Sequence, residues 1–181
     1  MPRQRILLVG CAGTATTTQL AFIVRHSTGF VQVALHERDC DRLVLPELTP
    51  SSRLASSAGY GQCVTVDAAV GTTTGISGAD RARTARILAD PRSVPDDFTR
   101  PGHVVPIRVN PHDFREHRTA ASAALAWTEA ALPEFSGAVF ADLEGISEPT
   151  SIAGPGDAEA FVRQRNLTLI TDTAAGSPPR R

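Results

Sequence analysis

Apolar and polar positions along this chain follow two patterns that predict strands and helices in turn. Short apolar runs between turn residues predict strands at 6–9, 30–35, 104–109, 137–143 and 167–170, and strict alternation predicts a half-buried strand at 62–68. Apolar stripes at helical spacing predict helices at 17–26, 80–89, 120–132 and 157–165, and a short helix after position 36 that Pro46 ends. Because the two kinds of element mix throughout, we predict an α/β or α+β fold.

The polar stretches between these elements predict loops and the limits of the domain. Residues 49–61 are rich in Ser, Gly and Pro, and residues 110–118 are polar throughout, so both are predicted to be loops. No internal repeat occurs. We predict one domain over residues 1–175 and a frayed tail over 176–181.

Composition excludes several classes of function. The net charge of −1 and the absence of a basic block argue against nucleic-acid binding. The first apolar run is too short for a membrane span and lacks the layout of a signal peptide, so the expectation is a soluble cytoplasmic protein. Catalysis through a lysine Schiff base is excluded because the chain has no lysine. Three cysteines without CxxC spacing argue against a disulfide framework or a zinc cluster.

Candidate chemistry is densest between Gly71 and His103. The run of Thr72, Thr73 and Thr74 leads into a glycine-containing turn and then into the predicted helix at 80–89. Hydroxyl and N–H groups at such a helix start favour oxyanions. The structural alternative stays open, in which Ser77 or Asp80 only caps a helix and the threonines only satisfy a strand.

The combined string is more specific than its parts. TTTGISGADRARTARILADP followed by PDDFTRPGHVVPIR resembles 3,4-dihydroxy-2-butanone 4-phosphate synthase, a riboflavin-pathway enzyme family, and the resemblance continues in IVRHSTGFVQVAL, RDCDRLVLPEL and AFVRQRNLTLITD. It implies a mixed sheet flanked by helices and a homodimer with active sites near the subunit interface. It also implies conversion of ribulose 5-phosphate to dihydroxybutanone phosphate and formate with a divalent cation.

The resemblance assigns candidate site residues one by one. His103 matches the family's essential histidine, and Asp142 falls where the family has its essential glutamate. The structural alternatives are that His103 only holds the RPG turn and that Asp142 is a solvated strand end. The candidate substrate-binding residues are Thr72, Thr73, Thr74, Arg100, Arg115, Arg118 and Thr119, among which Arg115 and Thr119 keep the family's phosphate-contacting types.

The family's metal ligands are not matched. Its acidic loop, of the form DDEDRENEGD, falls on MPRQRIL, and no carboxylate precedes Glu37. In its RxGHTEA motif the ligand position is Arg118, and His117 lies one residue early. The prediction is therefore no metal ligand and no cofactor, with magnesium only if the conventional reaction is retained.

These departures lead to a functional expectation with two alternatives. The first interpretation is a divergent, lyase-like enzyme of specialised metabolism. It would use His103 and Asp142 for metal-independent acid–base chemistry on a small oxygenated or anionic metabolite, with Arg115 and Arg118 binding the anion. The second is the conventional 3,4-dihydroxy-2-butanone 4-phosphate synthase reaction. The third is a non-catalytic binding or regulatory relative.

Overall fold

A mixed six-stranded sheet organises the protein in the computed structural model, which describes residues 5–48, 61–116 and 119–171. Its strands are β1 (Leu7–Cys11), β2 (Gln32–His36), β3 (Gly61–Gln62), β4 (Val66–Ala68), β5 (Phe98–Val109) and β6 (Ala138–Asp142). The helices of the described residues are α1 (Thr17–His26), α2 (Glu37–Arg42), α3 (Gly78–Ala89), α4 (Pro111–Glu116), α5 (Ala120–Ala131) and α6 (Pro155–Arg165), and a 3-10 turn lies at Pro95–Asp97.

The strand order is β1-β6-β2-β5-β3, and β4 also pairs with β5. Only β2 and β5 run parallel, and the other pairings are antiparallel. The register places Gln32 of β2 between Phe140 of β6 and Val105 of β5. The predicted α/β fold with a mixed sheet is thus confirmed.

Helices cover both faces of the sheet, because neighbouring strand residues point to opposite faces. On one face, Val33 and Val139 pack with Leu20 of α1 and Leu88 of α3. On the other face, buried sheet residues such as Phe140 pack against α5. No helix in the described ranges is long and apolar enough to cross a membrane.

Two helix starts come directly from capping residues. The side chain of Thr16 accepts from the N–H of Gln19, whose side chain in turn accepts from the N–H of Thr16. This reciprocal capping fixes the start of α1 at the predicted position. Thr119 and Ser122 form the same arrangement at the start of α5, so Thr119 is placed by its capping role.

Besides β5, which begins at Phe98 and not at residue 104 as predicted, four predicted elements differ in the structure. The predicted strand at 62–68 is split into β3 and β4, because the N–H of Val64 leaves the sheet to bond the carbonyl of Pro46. The predicted loop at 110–118 contains α4, whose first turn is capped by the side chain of Asn110 accepting from His112 and Asp113. Short polar helices of this kind carry too little apolar periodicity to stand out in a sequence.

The other two differences concern the end of α2 and the segment that follows α6. Helix α2 ends at Arg42, four residues before Pro46, and Val44 follows in the left-handed region with φ of 51°. Residues 167–170 form no strand, because the α6 terminus at Asn166 takes a left-handed conformation and the segment finds no partner in the sheet. The loop predicted at 49–61, apart from residue 61, and the tail predicted at 176–181 lie outside the described residues.

Candidate active site

A histidine and a buried aspartate form the centre of the candidate site. His103 Nδ1 lies 2.7 Å from Asp67 Oδ2, and the backbone N–H of His103 donates to Asp67 Oδ1 at 3.0 Å. Asp67 is 7% exposed, whereas the His103 side chain is 42% exposed. The aspartate therefore fixes both the backbone and the ring of a histidine that solvent and substrate can reach.

An irregular strand pairing brings the two residues together. Between β4 and β5, Val66 pairs with Val104, but the next residue, Asp67, pairs with Thr99. The intervening residues of β5 bulge out of the ladder, and the N–H of Gly102 donates to the backbone carbonyl of Thr65 at 3.1 Å. His103, at the end of this bulge, returns to the Asp67 carboxylate.

The threonine turn packs against this pair. Asp80 accepts hydrogen bonds from the N–H and the hydroxyl of Thr73 at 3.1 and 2.9 Å and from the N–H of Gly75 at 3.1 Å. Thr72 donates its hydroxyl to the carbonyl of Ala68 at 2.8 Å, and Thr74 is exposed. The hydroxyls of Thr72 and Thr73 thus hold the turn itself and do not belong to a strand.

Gly75 is the point of closest approach between the turn and the pair. Its φ is +79°, and a Cβ added there would lie 2.6 Å from His103 Nδ1 and closer still to Asp67 Oδ2. Burial raises the pKa of Asp80, but hydrogen bonds, led by those from Thr73, outweigh burial and lower the pKa below its usual value. An ionised Asp80 therefore holds the turn in which glycine is required.

Arg81, on α3, lies near Asp67 and hydrogen-bonds the loop that precedes β2. It is 9% exposed, and its guanidinium donates to the carbonyl of Gly29 at 3.0 Å. Burial lowers the pKa of Arg81, while the nearby charge of Asp67 acts in the opposite direction. In the same loop, the N–H of Thr28 donates to the carbonyl of Asp142 at 3.0 Å.

Asp142 lies two strands away from His103, because β2 separates β6 from β5. With strands about 4.8 Å apart, the two backbones are about 10 Å apart at this edge. Both Asp142 oxygens accept from Arg5, at 2.8 Å from Nε and 2.7 Å from Nη2. The structure thus places the two predicted catalytic residues, His103 and Asp142, at the same end of the sheet without direct contact. Asp142 instead forms an ion pair with Arg5.

A shallow depression lies beside this ion pair, between the sheet and the start of α5. Its cavity volume is only about 10 Å³, room for about one water molecule, and its lining includes Arg5, Gln32, Phe140, Ile107 and Thr119. Gln32 is 4% exposed. The depression therefore combines a cation, a buried amide and a helix N-terminus.

The remaining predicted residues are scattered. Arg100 donates to the carbonyls of Pro95, Phe98 and Leu43, so its guanidinium holds backbone at a distance from the depression. Arg115 is exposed on α4. Arg118 and His117 lie outside the described residues.

A divalent cation does not fit the donors that the structure places together. Within residues 5–48, 61–116 and 119–171, no group of three or more His, Cys, Asp or Glu side chains is arranged to hold a metal ion. Asp67 and His103 are bonded to each other, and Asp142 to Arg5. No chemical step is therefore derived through a metal.

Comparison with known proteins decides the family. The sequence profile of 3,4-dihydroxy-2-butanone 4-phosphate synthase matches residues 4–174. The chain belongs to this family. The Salinispora tropica riboflavin biosynthesis protein RibBA is 38% identical over 164 residues, which cover 91% of this chain and 40% of that protein. The chain thus spans about two fifths of the length of the curated relatives that it matches.

Solved structures agree with the family assignment. The Candida albicans 3,4-dihydroxy-2-butanone 4-phosphate synthase superposes with a TM-score of 0.80 at 33% identity, covering 92% of this chain and 80% of that one. A synthase structure in complex with two magnesium ions gives a TM-score of 0.79 at 31% identity, covering 90% and 79%.

These findings correct the first functional interpretation. A divergent enzyme of specialised metabolism was expected because the metal-ligand motifs are not matched. Identity of 38% over 91% of the chain to proteins named for riboflavin biosynthesis, together with synthase structures as neighbours, favours the conventional alternative instead. The error came from weighting two short motifs above the similarity of the whole chain.

Proposed function

We propose that this domain catalyses the reaction for which its family is named, converting ribulose 5-phosphate to 3,4-dihydroxy-2-butanone 4-phosphate and formate. The observation that carries the proposal is the His103–Asp67 pair at an accessible sheet edge in a chain of this family. The reaction begins with enolisation, which needs a group that removes a proton from a carbon next to the ketone.

His103 suits that role because of the way Asp67 holds it. A carboxylate that accepts from Nδ1–H fixes the neutral tautomer in which Nε2 carries the free lone pair. No residue within the described ranges hydrogen-bonds Nε2. His103 is therefore the proposed base, and it returns the proton in a later step, while Asp67 orients the ring and stabilises its charged form.

The depression by α5 offers the complementary binding groups. Helix N-termini leave N–H groups without intrahelical acceptors, and these favour phosphate. Thr119 begins this helix, and Arg115 lies on the preceding α4. We assign the phosphate of the substrate to this helix start, with Asp142 and Arg5 as the charged pair at its border. Magnesium enters the proposal only as a component of the assay, because the synthase neighbour is described with magnesium ions.

Formate release tests the proposal directly. Purified protein is incubated with ribulose 5-phosphate, with magnesium or with a chelator, and formate and the four-carbon phosphate are both quantified. We expect both products in equal amounts from the wild type and a loss of about 10²-fold or more in His103→Ala. His112→Ala, on the exposed surface of α4, is the matched control and should retain activity.

Two outcomes would overturn the proposal. One is the absence of formate under both metal conditions from folded protein. The other is unchanged turnover in His103→Ala. Loss of product on chelation, by contrast, supports the reaction and shows that a cation takes part in it.

The assembly is a separate proposal. We propose that residues 1–175 act as one domain and that the domain forms a cytoplasmic homodimer. The single domain is supported by solved neighbours that cover 90% or more of this chain, and the homodimer is what the family resemblance implies. Light scattering coupled to size-exclusion chromatography should give a mass close to twice 19.2 kDa, and a mass of one chain would contradict it.

A further inference from the structure

The part of β5 that carries His103 is shaped by hydrogen bonds and not by buried side chains. Because Asp67 pairs with Thr99 and Val66 pairs with Val104, residues 100–103 stand opposite a single step of β4 and form a bulge. The side chains at positions 99, 100, 101 and 103 are exposed, and Gly102 has none to bury. Since these residues bury little apolar area, polar contacts determine where the bulge lies and where the ring of His103 points.

The inner side of the bulge is held by β4 and the residue before it. The N–H of Gly102 donates to the carbonyl and to the hydroxyl oxygen of Thr65, in both cases at 3.1 Å. A Cβ added to Gly102 would collide with the backbone of Val66 and Asp67, so the two chains are as close here as glycine allows. These contacts act on residues 102 and 103, and residues 100 and 101 are held from the other side.

Arg100 holds the outer side of the bulge. Its Nη1 donates to the carbonyls of Pro95 and Phe98, at 3.1 and 3.3 Å. Its Nη2 donates to the carbonyl of Leu43 at 2.9 Å. Leu43 is fully buried and directly follows α2, where carbonyls lack an intrahelical donor. The planar guanidinium thus ties the exposed bulge to a residue that the core keeps in place.

We infer that Arg100 is a positioning residue for His103, which acts through the backbone of the bulge and without contact to the substrate. The inference rests on the proposed function, in which His103 removes a proton from a substrate carbon. Such a transfer needs the ring nitrogen close to that carbon, and a displacement of about 1 Å can lower a rate about 10²-fold. By fixing the bulge from outside while Asp67 fixes the ring from inside, Arg100 keeps the base within reach.

Steady-state formate release from ribulose 5-phosphate tests the role. We expect Arg100→Ala to lower kcat about tenfold or more and to leave KM within about threefold, because the groups that bind the substrate are untouched. Arg100→Lys keeps the positive charge but has a single nitrogen that cannot span three carbonyls, so its kcat should stay at least about threefold below that of the wild type. Arg92→Ala is the matched control, because the Arg92 side chain is 87% exposed and pairs with Asp90 on the surface.

Nuclear magnetic resonance of the histidine rings gives a second measurement that needs no turnover. The chain has five histidines, and the ring signal of His103 is the one that disappears in His103→Ala. We expect Arg100→Ala to shift or broaden this signal in the free protein, because the bulge loses its outer attachment. Arg92→Ala should leave the signal in its wild-type position.

Three results would overturn the inference. The first is a wild-type kcat in Arg100→Ala. The second is an unchanged His103 signal in that variant, even with a lower melting temperature, since Arg100 would then only stabilise the fold. The third is a KM raised tenfold or more at unchanged kcat and restored by Arg100→Lys, which would assign the guanidinium to substrate binding. A wild type that releases no formate would overturn the proposed function, whereas the His103 signal would still decide whether Arg100 positions the ring.

Discussion

His103 Nδ1 and Asp67 Oδ2 lie 2.7 Å apart, although 36 residues separate them in the chain. The backbone N–H of His103 donates to the other oxygen of the same carboxylate. Asp67 therefore sets the tautomer and the direction of the ring, which a single contact would leave free to rotate. Asp67 is therefore the first residue to substitute in a test of how His103 works.

We expect Asp67→Asn to lower kcat for formate release by about 10²-fold while KM changes little, since a neutral amide no longer stabilises the charged ring in the transition state. Steady-state kinetics with ribulose 5-phosphate would check this. Asp96→Asn, on the exposed 3-10 turn, is the control. Equal kcat in the two variants would show that Asp67 does not assist His103.

Gly75 should tolerate no side chain. Gly75→Ala places a methyl group against Asp67 and His103 at a φ of +79°, so we expect a loss of at least about 2 kcal/mol in the free energy of unfolding together with loss of activity. Gly156→Ala is the matched exchange, because an added Cβ there meets nothing within 4 Å. Denaturant unfolding of both variants gives the comparison. Comparable stability of Gly75→Ala and the wild type would mean that the turn can move away from the pair.

The Arg5–Asp142 pair should show measurable coupling. Its side chains are 29% and 15% exposed, and the contact is bidentate, so a double-mutant cycle with Arg5→Leu and Asp142→Leu should give a coupling free energy of about 1 kcal/mol or more. Chemical denaturation of the four proteins measures it. The Arg163–Glu159 pair, 72% and 64% exposed on α6, should give a smaller value in the same design. Equal coupling energies for the two pairs would indicate that the Arg5 contact is as weak as an ordinary surface pair.

His26 should make the fold sensitive to mild acid. Burial, followed by the positive charges of Arg165 and Arg25, lowers the pKa of His26 below its usual value of 6.5. The unfolded chain then binds more protons between the folded pKa and about 6.5, so stability rises with pH through that window and levels off above it.

Melting temperatures measured between pH 7.5 and pH 5 would test this sign. We expect the wild type to lose stability below about pH 6.5 and His26→Gln to lose less over the same range. If His26→Gln and the wild type showed parallel curves, another group would be responsible for the pH dependence.

Local sequence determined most elements and several of the candidate residues. The capping residues Thr16 and Thr119 set the starts of α1 and α5 where predicted, because capping involves only neighbours in the chain. His103 and Asp142 could be proposed from the resemblance alone, and the structure places both at one sheet edge. The split strand at 62–68 and the helix at 111–116 were missed because each depends on a few hydrogen bonds that periodicity does not register.

Tertiary structure alone decided which side chains work together. Asp67 reaches His103 only because the register between β4 and β5 shifts at Val66, and Arg5 reaches Asp142 only because β1 pairs with β6. Asp67 and His103 lie 36 positions apart in the chain, and Arg5 and Asp142 lie 137 positions apart, so neither contact leaves a local sequence pattern. Sequence fixes what each segment can form, whereas long-range pairing determines which chemical groups meet.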